Sequence, residues 1–407
     1  MSYLFNNKIG FEDTAIDSFS RLRISEPHTI FDAQHRYGLN GKFDVMVVEG
    51  GTAYHSESEG TVKLQVGATA GSKVIRQSRY SFPYQPGKSL LILNSFAMNG
   101  GKANLTQRVG YYNDYNGIFF EKGGLQGNSL AFVLRSNVTG STAETRVYQH
   151  EWLGDKLDGS GISGRTLDTT KGNIVWMDVE WLGVGDVRCG FVVDGRFVVA
   201  HTFHNDNEKP ATYMTTACLP VRYEIFNGNN AAASGSTLTQ ICSTVISEGG
   251  YEGRSVKHSA GVGLTSSAEM KNLSVAGTYY PIMSIRLNPT RTDAIVVPTQ
   301  LDIISNDKSV YHYRLLLNAT LTGASWVTHP NGIVQFDKSA TAFSGGDEIG
   351  GGVFTELDTF TLEGPSNFNY QLGKSIGGTA DTVTLVISAH GANKNITALM
   401  SWEELVY

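Results

Sequence analysis

The sequence predicts an all-β protein: a large antiparallel jelly-roll sandwich, then a smaller C-terminal β-sandwich, preceded by an extended N-terminal arm. Three observations carry this. Short apolar runs of strand length recur along the chain, separated by turn residues drawn from 46 glycines. No long segment repeats its apolar residues with the 3.6 period of a helix. One stretch, Lys171 to Phe203, alternates with period 2 and contains an Asp-Gly hairpin turn. The 407 residues exceed what one hydrophobic core serves, so two domains are expected, and 41% hydrophobic residues suffice for packed cores.

Residues 1–40 are expected to form the arm. Asp13 to Arg23 places Ile16, Phe19 and Leu22 on one side of a short helical turn. Pro27 ends it, because the residue before proline avoids the α region. So little apolar surface cannot fold alone, so the arm should dock on its own body or on a neighbour.

Residues 41–255 read as the jelly roll. Phe43 to Val48 ends at Gly50-Gly51, and Thr61 to Val66 alternates cleanly. Ser72 to Ser81 is rich in Arg and Tyr and stops near Pro83 and Pro86. Ser89 to Ala97 is almost continuously apolar, the mark of a central strand covered on both faces. Gln107 to Tyr112, Gly117 to Lys122 and Ser129 to Arg135 form a meander, and Thr145 to Glu151 is polar and edge-like. Val221 to Phe226 and Leu238 to Glu248 close the module.

Between them lies the organising stretch. Val175, Met177, Val179 and Trp181 alternate with Trp176, Asp178 and Glu180, giving one buried and one wet face. Gly183 and Gly185 mark a turn. Asp194-Gly195 suits a type I′ turn, which pairs Val192 with Phe197 and Val193 with Arg196. One face then carries Val187, Cys189, Phe191, Val198 and Ala200 as core. The other carries Arg188, Gly190, Phe197, Val199, His201 and Phe203.

Residues 256–280, rich in Gly, Ala and Ser, read as a linker. Residues 281–407 read as the second sandwich, with strands including Ile282 to Leu287, Ala294 to Ile304, Val310 to Leu317, Thr382 to Ala389 and Ala398 to Leu405. The glycine-rich tract Phe343 to Val353 predicts a loop.

A net charge of −6 with 17% charged residues offers no polyanion-binding surface, so nucleic acid is not an expected partner. No apolar run approaches bilayer-spanning length, so no membrane partner is expected either. Met1 to Gly10 lacks the basic-then-apolar pattern of a secretory signal. Cys189, Cys218 and Cys242 are far apart, odd in number and without CxxC spacing. They predict free buried thiols and synthesis in a reducing cytoplasm.

Three constellations could carry chemistry. Asp178 and Glu180, two apart on one strand, project both carboxylates from the same face. Asp155, Asp158 and the loop His204 to Glu208 offer hard oxygen ligands for calcium, although Asp/Asn-rich loops are commonly just turns. Tyr112, Asp114, Tyr115 and Asn116 combine aromatic faces with amide and carboxylate groups, an arrangement that could contact a glycan. The competing reading makes Tyr111 and Phe119 core, with Asn113 to Gly117 a hairpin loop. No metal or cofactor site beyond the calcium candidate, and no catalytic set, is expected.

Trp176-Met177-Asp178-Val179-Glu180 resembles the Glu-x-Asp-x-Glu strand of laminarinase-like retaining glycosidases, in which the outer glutamates act as nucleophile and acid/base. The nucleophile position here is Trp176, so the resemblance implies no covalent step, and the chain is expected not to be an enzyme. Over its first 255 residues the chain resembles a family of virion structural proteins of tailed bacteriophages that infect aquatic bacteria. The matching strings are Asp17 to Asp32, Tyr111 to Glu121, Trp152 to Thr169, Val179 to Val193, Tyr213 to Ile225 and Ile241 to Glu252. The jelly-roll section also resembles laminin-G and concanavalin-like folds. These resemblances imply assembly contacts with other virion proteins and with copies of itself, a trimer in a fibre-like part. They imply location in a virion made in the host cytoplasm, with a host surface glycan as the alternative partner.

Overall fold

A computed structural model describes residues 26–124, 128–228, 235–250, 255–290, 294–305, 307–355, 357–361 and 371–405. Among these the regular structure is antiparallel strand apart from two short 3-10 turns, with no α-helix. The first module comprises β1 (Pro27–Gln34), β2 (Phe43–Val48), β3 (Thr52–Ser56), β4 (Thr61–Gln65), β5 (Lys73–Ser78), β6 (Phe82–Pro83), β7 (Ser89–Ala97), β8 (Leu105–Tyr112) and β9 (Gly117–Gly123). It continues with β10 (Ser129–Ser136), β11 (Ala143–Tyr148), β12 (Asn173–Val179), β13 (Val187–Val193), β14 (Arg196–Phe203), β15 (Cys218–Leu219), β16 (Val221–Asn227) and β17 (Thr237–Glu248).

Sheet A runs β14-β13-β12-β7-β17-β4-β3, with β1 also on β17; sheet B runs β11-β10-β9-β8-β16-β5-β2. β7 lies between β12 and β17, as its nearly unbroken apolar sequence requires. β11 is the polar edge. The two inner faces enclose one core. Phe120 meets Phe132 at 5.5 Å and Phe191 at 5.1 Å, and Phe132 meets Trp152 at 5.1 Å. Each such ring contributes about 1.5–3 kcal/mol by leaving water. The one polar group on Tyr223 is satisfied inside, its hydroxyl 3.0 Å from Ser243 Oγ and 3.1 Å from the Cys242 carbonyl.

The Asp194-Gly195 turn forms as expected, with φ of 51° and 74°, and pairs Val192 with Phe197 and Val193 with Arg196. The face assignment fails further along β14. A bulge there sets Gly190 opposite Val199 but Cys189 opposite His201, so Ala200 is the extra residue. Beyond it the alternation inverts. His201 and Phe203, expected outside, are buried on the core side with Cys189 and Val187. The loop after β11 covers this edge, with Gly154 N and Asp155 N donating to Ala200 O and Val199 O at 2.9 and 3.0 Å.

Three expectations about the chain's irregular parts change. The predicted helical turn at Asp13 to Arg23 lies outside the described residues. The rest of the expected arm is largely β1, which pairs with Cys242 to Glu248 of β17 just beyond where β4 pairs with Thr237 to Gln240. A bulge between Thr29 and Phe31 lets Ile30 and Phe31 both enter the core. The expected linker 256–280 supplies two strands, Val256–Val262 and Lys271–Leu273, both paired with Lys394–Leu405. Its small residues answer to packing rather than flexibility: a Cβ on Gly261 would lie 2.5 Å from Ala398 O. The glycine-rich tract expected as a loop is the strand Asp347–Phe354 against Tyr311–Leu317. A Cβ on Gly352 would sit 2.7 Å from the Tyr313 ring, so only glycine lets the strand close there.

The second module is a sandwich of a five-stranded and a six-stranded sheet around Trp402, Ile285, Leu385 and Tyr311. It is fused to the first rather than tethered. Along Ile295–Ser305, Val296 points into the second core, whereas Ile295 and Val297, with Leu405, pack into the first. Two polar ties from the C-terminal loop join in: Gln371 Nε2 donates to Ser81 O at 3.4 Å and Ile376 N to Asp44 Oδ2 at 3.2 Å.

Candidate functional site

The outer face of β12 and β13 brings the carboxylate pair into a cleft of about 480 Å³, lined by Tyr84, Lys88, Asp178, Glu180, Asp186, Arg188, Thr202 and His204. Asp178 is paired through one oxygen only: its Oδ1 is buried without a protein partner, and Glu180 is exposed just past the end of β12. Asp178 Oδ2 accepts both Nε and Nη2 of Arg188, its register partner across the ladder. Asp186 accepts from Asn205 N at 3.1 Å and lies 2.7 Å from His204 Nδ1. Trp176, at the nucleophile position, is buried; its indole lies over Gly190, with the Phe197 ring edge-on at 5.4 Å. An indole thus stands where the resembled strand motif carries its first carboxylate.

Of the calcium candidates, Asp155 and Asp158 close on their own loop. Asp155 accepts from Ser163 N at 2.6 Å and Leu157 N at 2.9 Å; burial opposes ionisation, but these amides hold its carboxyl below the usual range. Asp158 accepts from the Ser160 hydroxyl and amide, which lower its pKa in the same sense. These are turn-forming Asx contacts. Among the described residues no group of three or more His, Cys, Asp or Glu is disposed to hold a metal ion.

The glycan candidates separate into two pairs. Tyr112 is fully buried on the outer face of sheet B. Its ring lies under Arg222 at 5.3 Å and Arg135 at 5.4 Å and beside Phe119 at 4.4 Å, so no ring face is open to a sugar. Asn116 is framework: its Nδ2 donates to Thr215 Oγ1 at 2.7 Å and its Oδ1 accepts from Thr215 N and Asn137 N. Asp114 and Tyr115 remain available at the tip of the β8–β9 hairpin. Asn113 Oδ1 shapes that tip by accepting both Tyr115 N and Asn116 N at 2.8 Å. Tyr115 is 57% exposed.

The hairpin tip stands at a cleft of about 300 Å³ between the two modules. One wall is Gln77, Arg79, Ser81, Thr216 and Arg222; the other is Gln371 and the loop 373–378. The loop is pinned by Gly373 N to Asp381 Oδ2 and Ser375 N to Thr379 O. Arg222 is 2% exposed, and its Nε donates to Gln77 Oε1 at 2.7 Å and its Nη1 to Asp114 Oδ1 at 2.6 Å. A buried guanidinium thereby fixes the exposed carboxylate in place. Sequence reasoning missed Arg222, Arg79 and Gln371; in VRYEIF the arginine carries no local signal, and the C-terminal wall is joined only by folding.

The rest of the outer face of sheet B is a continuous ionic layer. Arg108 and Arg146 meet Glu121 at 2.8 and 2.7 Å, Arg135 and Arg146 meet Glu144 at 2.7 and 2.6 Å, and Lys73 meets Glu224 at 2.7 Å. Arg108 and Arg135 also lie over the Phe119 ring at 5.1 and 4.9 Å. Flat-lying cations thus bury Phe119 and Tyr112 without a third layer of chain. Burial alone would raise the Glu224 pKa, but Arg108, Lys73 and Arg222 bring it below the ordinary value.

No protein-family model matches the sequence, and no curated protein matches it. Solved structures similar to part of the chain include an endo-β-1,4-glucuronan lyase from Trichoderma reesei, at 12% identity and a TM-score of 0.36 over 53% of this chain and 94% of that one. The CBM2 module of the evolved Dit of Lactobacillus casei BL23 phage J-1 aligns at 6% identity and a TM-score of 0.37, over 56% of this chain and all of that one. Arcelin-5, a lectin-like defence protein of Phaseolus vulgaris, aligns at 10% identity and 0.34, over 55% and 99%. None of these likenesses assigns a role to any residue of this chain.

Proposed function

We propose that this chain is a non-catalytic structural component of a phage particle that works by contact, as a rigid two-sandwich body. The carrying observation is the fusion of the modules: Ile295, Val297 and Leu405 are buried in the first core while their strand neighbours build the second. Such a body holds a fixed shape, as repeated assembly with itself and other virion proteins needs. The commitment of Asp178 to Arg188 and the indole at Trp176 support the absence of glycosidase chemistry. Deleting residues 1–25 leaves β1 in its sheet and should give a soluble protein that no longer joins particles. Incorporation of the truncated chain at normal copy number would remove the arm as anchor. Reducing-sugar release that Glu180→Gln abolishes would overturn the non-catalytic reading.

A second reading is favoured by a specific observation. Asp114 and Tyr115 stand exposed at the mouth of the inter-module cleft, the first held by a buried arginine. On this reading the particle component also recognises a saccharide there. A glycan array tests it: selective binding lost on Tyr115→Ala or Asp114→Ala supports it, and binding that survives both substitutions refutes it.

A further inference from the structure

We infer that the cleft between the two sandwiches selects an acidic saccharide, a sugar ring bearing a carboxylate, over its neutral counterpart. This rests on the recognition reading above and narrows its ligand class.

The first support is charge. The chain as a whole carries −6. Among the described lining residues that sign is reversed, with the guanidinium groups of Arg79 and Arg222 against the carboxylate of Asp114. Asp44, near the same loop, is occupied by Ile376 N. Low-dielectric walls concentrate such a field.

The second is unspent hydrogen-bonding capacity. Arg222 uses Nε on Gln77 and Nη1 on Asp114. In the walls, Arg79 Nε and Gln371 Oε1 are buried with no protein partner, and Gln371 is only 6% exposed. Buried polar groups are rarely left so, because the loss is not repaid elsewhere. The set calls for an acceptor facing the guanidinium groups and a donor facing Gln371. A carboxylate is the acceptor of choice for arginine. A ring hydroxyl is the donor. One acidic sugar supplies both, while Tyr115 offers an exposed ring at the mouth for its C–H face. The cavity of about 300 Å³ suits one or two rings.

The test is isothermal titration of the full chain with short oligouronates (galacturonate, guluronate and glucuronate series) and with their methyl esters, which keep the ring and remove the charge. The acid form of at least one series should bind about tenfold or more tighter than its ester, an advantage that shrinks as salt rises. Lys374→Gln, a change on the loop, and Arg79→Gln should each narrow that gap, and Tyr115→Ala should weaken both forms. Equal binding of acid and ester, lost on Tyr115→Ala, would overturn the acidic preference and leave saccharide recognition standing. Failure of every oligouronate while the array finds a neutral ligand would overturn the preference too. Failure of both would overturn the recognition reading as well.

Discussion

Gly190 is the position at which a single methyl group should do most damage. Its neighbours across β13–β14 and β12 leave no room: a Cβ there would lie 1.9 Å from Val198 O and 2.8 Å from Trp176 Cζ2. The Val198 carbonyl belongs to the backbone beside the Ala200 bulge, and the indole is buried beneath the Phe197 ring, so neither yields cheaply. Relief to ordinary contact requires the strands to part by about 1.5 Å. Overpacking of this kind costs about 1–3 kcal/mol, and each ladder hydrogen bond lost adds about 0.5–1.5 kcal/mol. Alanine returns about 0.5–1 kcal/mol through the stiffer unfolded chain. Gly190→Ala should therefore destabilise the first module by about 2–3 kcal/mol. Urea unfolding followed by tryptophan fluorescence reads this directly, with a midpoint lowered by about 1 M at common slopes. A midpoint within about 0.2 M of the parent would show that β13 and β14 do not pack in this register.

Three further outcomes concern titratable and paired side chains. His35 and His201 have their pKa values pushed down to about 4, mainly by burial, while an unfolded histidine takes a proton near 6.5. Because the folded state holds them neutral, stability should fall as pH drops below about 6.5 and stop falling near 4. Urea midpoints across that range should flatten in His35→Gln and in His201→Gln; an unchanged slope in both would exclude these imidazoles. Glu224→Gln removes the charge that Lys73 faces at 2.7 Å and Arg108 at 3.7 Å while keeping an acceptor oxygen for the Tyr112 hydroxyl; Arg108 retains Glu121 at 2.8 Å, so the loss should be about 1.5–3 kcal/mol by denaturant titration. Arg188→Ala breaks a pair whose arginine side chain is 59% exposed, and the same titration should show a loss below about 1 kcal/mol.

The strands legible in the sequence are those whose side chains alternate between two unlike environments. β4, β12 and the β13–β14 turn announce themselves because apolar residues recur every second position and Asp194-Gly195 admits positive φ, and β7 because its apolar run is nearly unbroken. What period-2 reasoning cannot see is a change of backbone count. The extra residue Ala200 alters no composition, yet it turns His201 and Phe203 inward, against the face that strict alternation gives them. Val256–Val262 and Asp347–Phe354 hid for a related reason: their glycines and serines signal flexibility by composition, whereas Gly261 and Gly352 are demanded by Ala398 O and the Tyr313 ring.

The candidate site divides along the same line. Asp114 and Tyr115 could be read from the hairpin turn that carries them, since a turn is written in consecutive residues. The group that fixes Asp114 lies 108 positions away. The opposite wall comes from a different sandwich, brought near because Ile295 and Val297 belong to the first core while Val296 belongs to the second. Tyr112 shows the converse. Its neighbours Asn113, Asp114 and Asn116 made it look wet, but three arginines on β8, β10 and β16 converge on the Tyr112–Phe119 patch, and only the register of sheet B places them there. An aromatic ring next to polar residues in sequence is therefore a weak sign of a sugar platform. The ring's register partners decide whether its face is open, and in this sheet they close Tyr112 and leave Tyr115 uncovered.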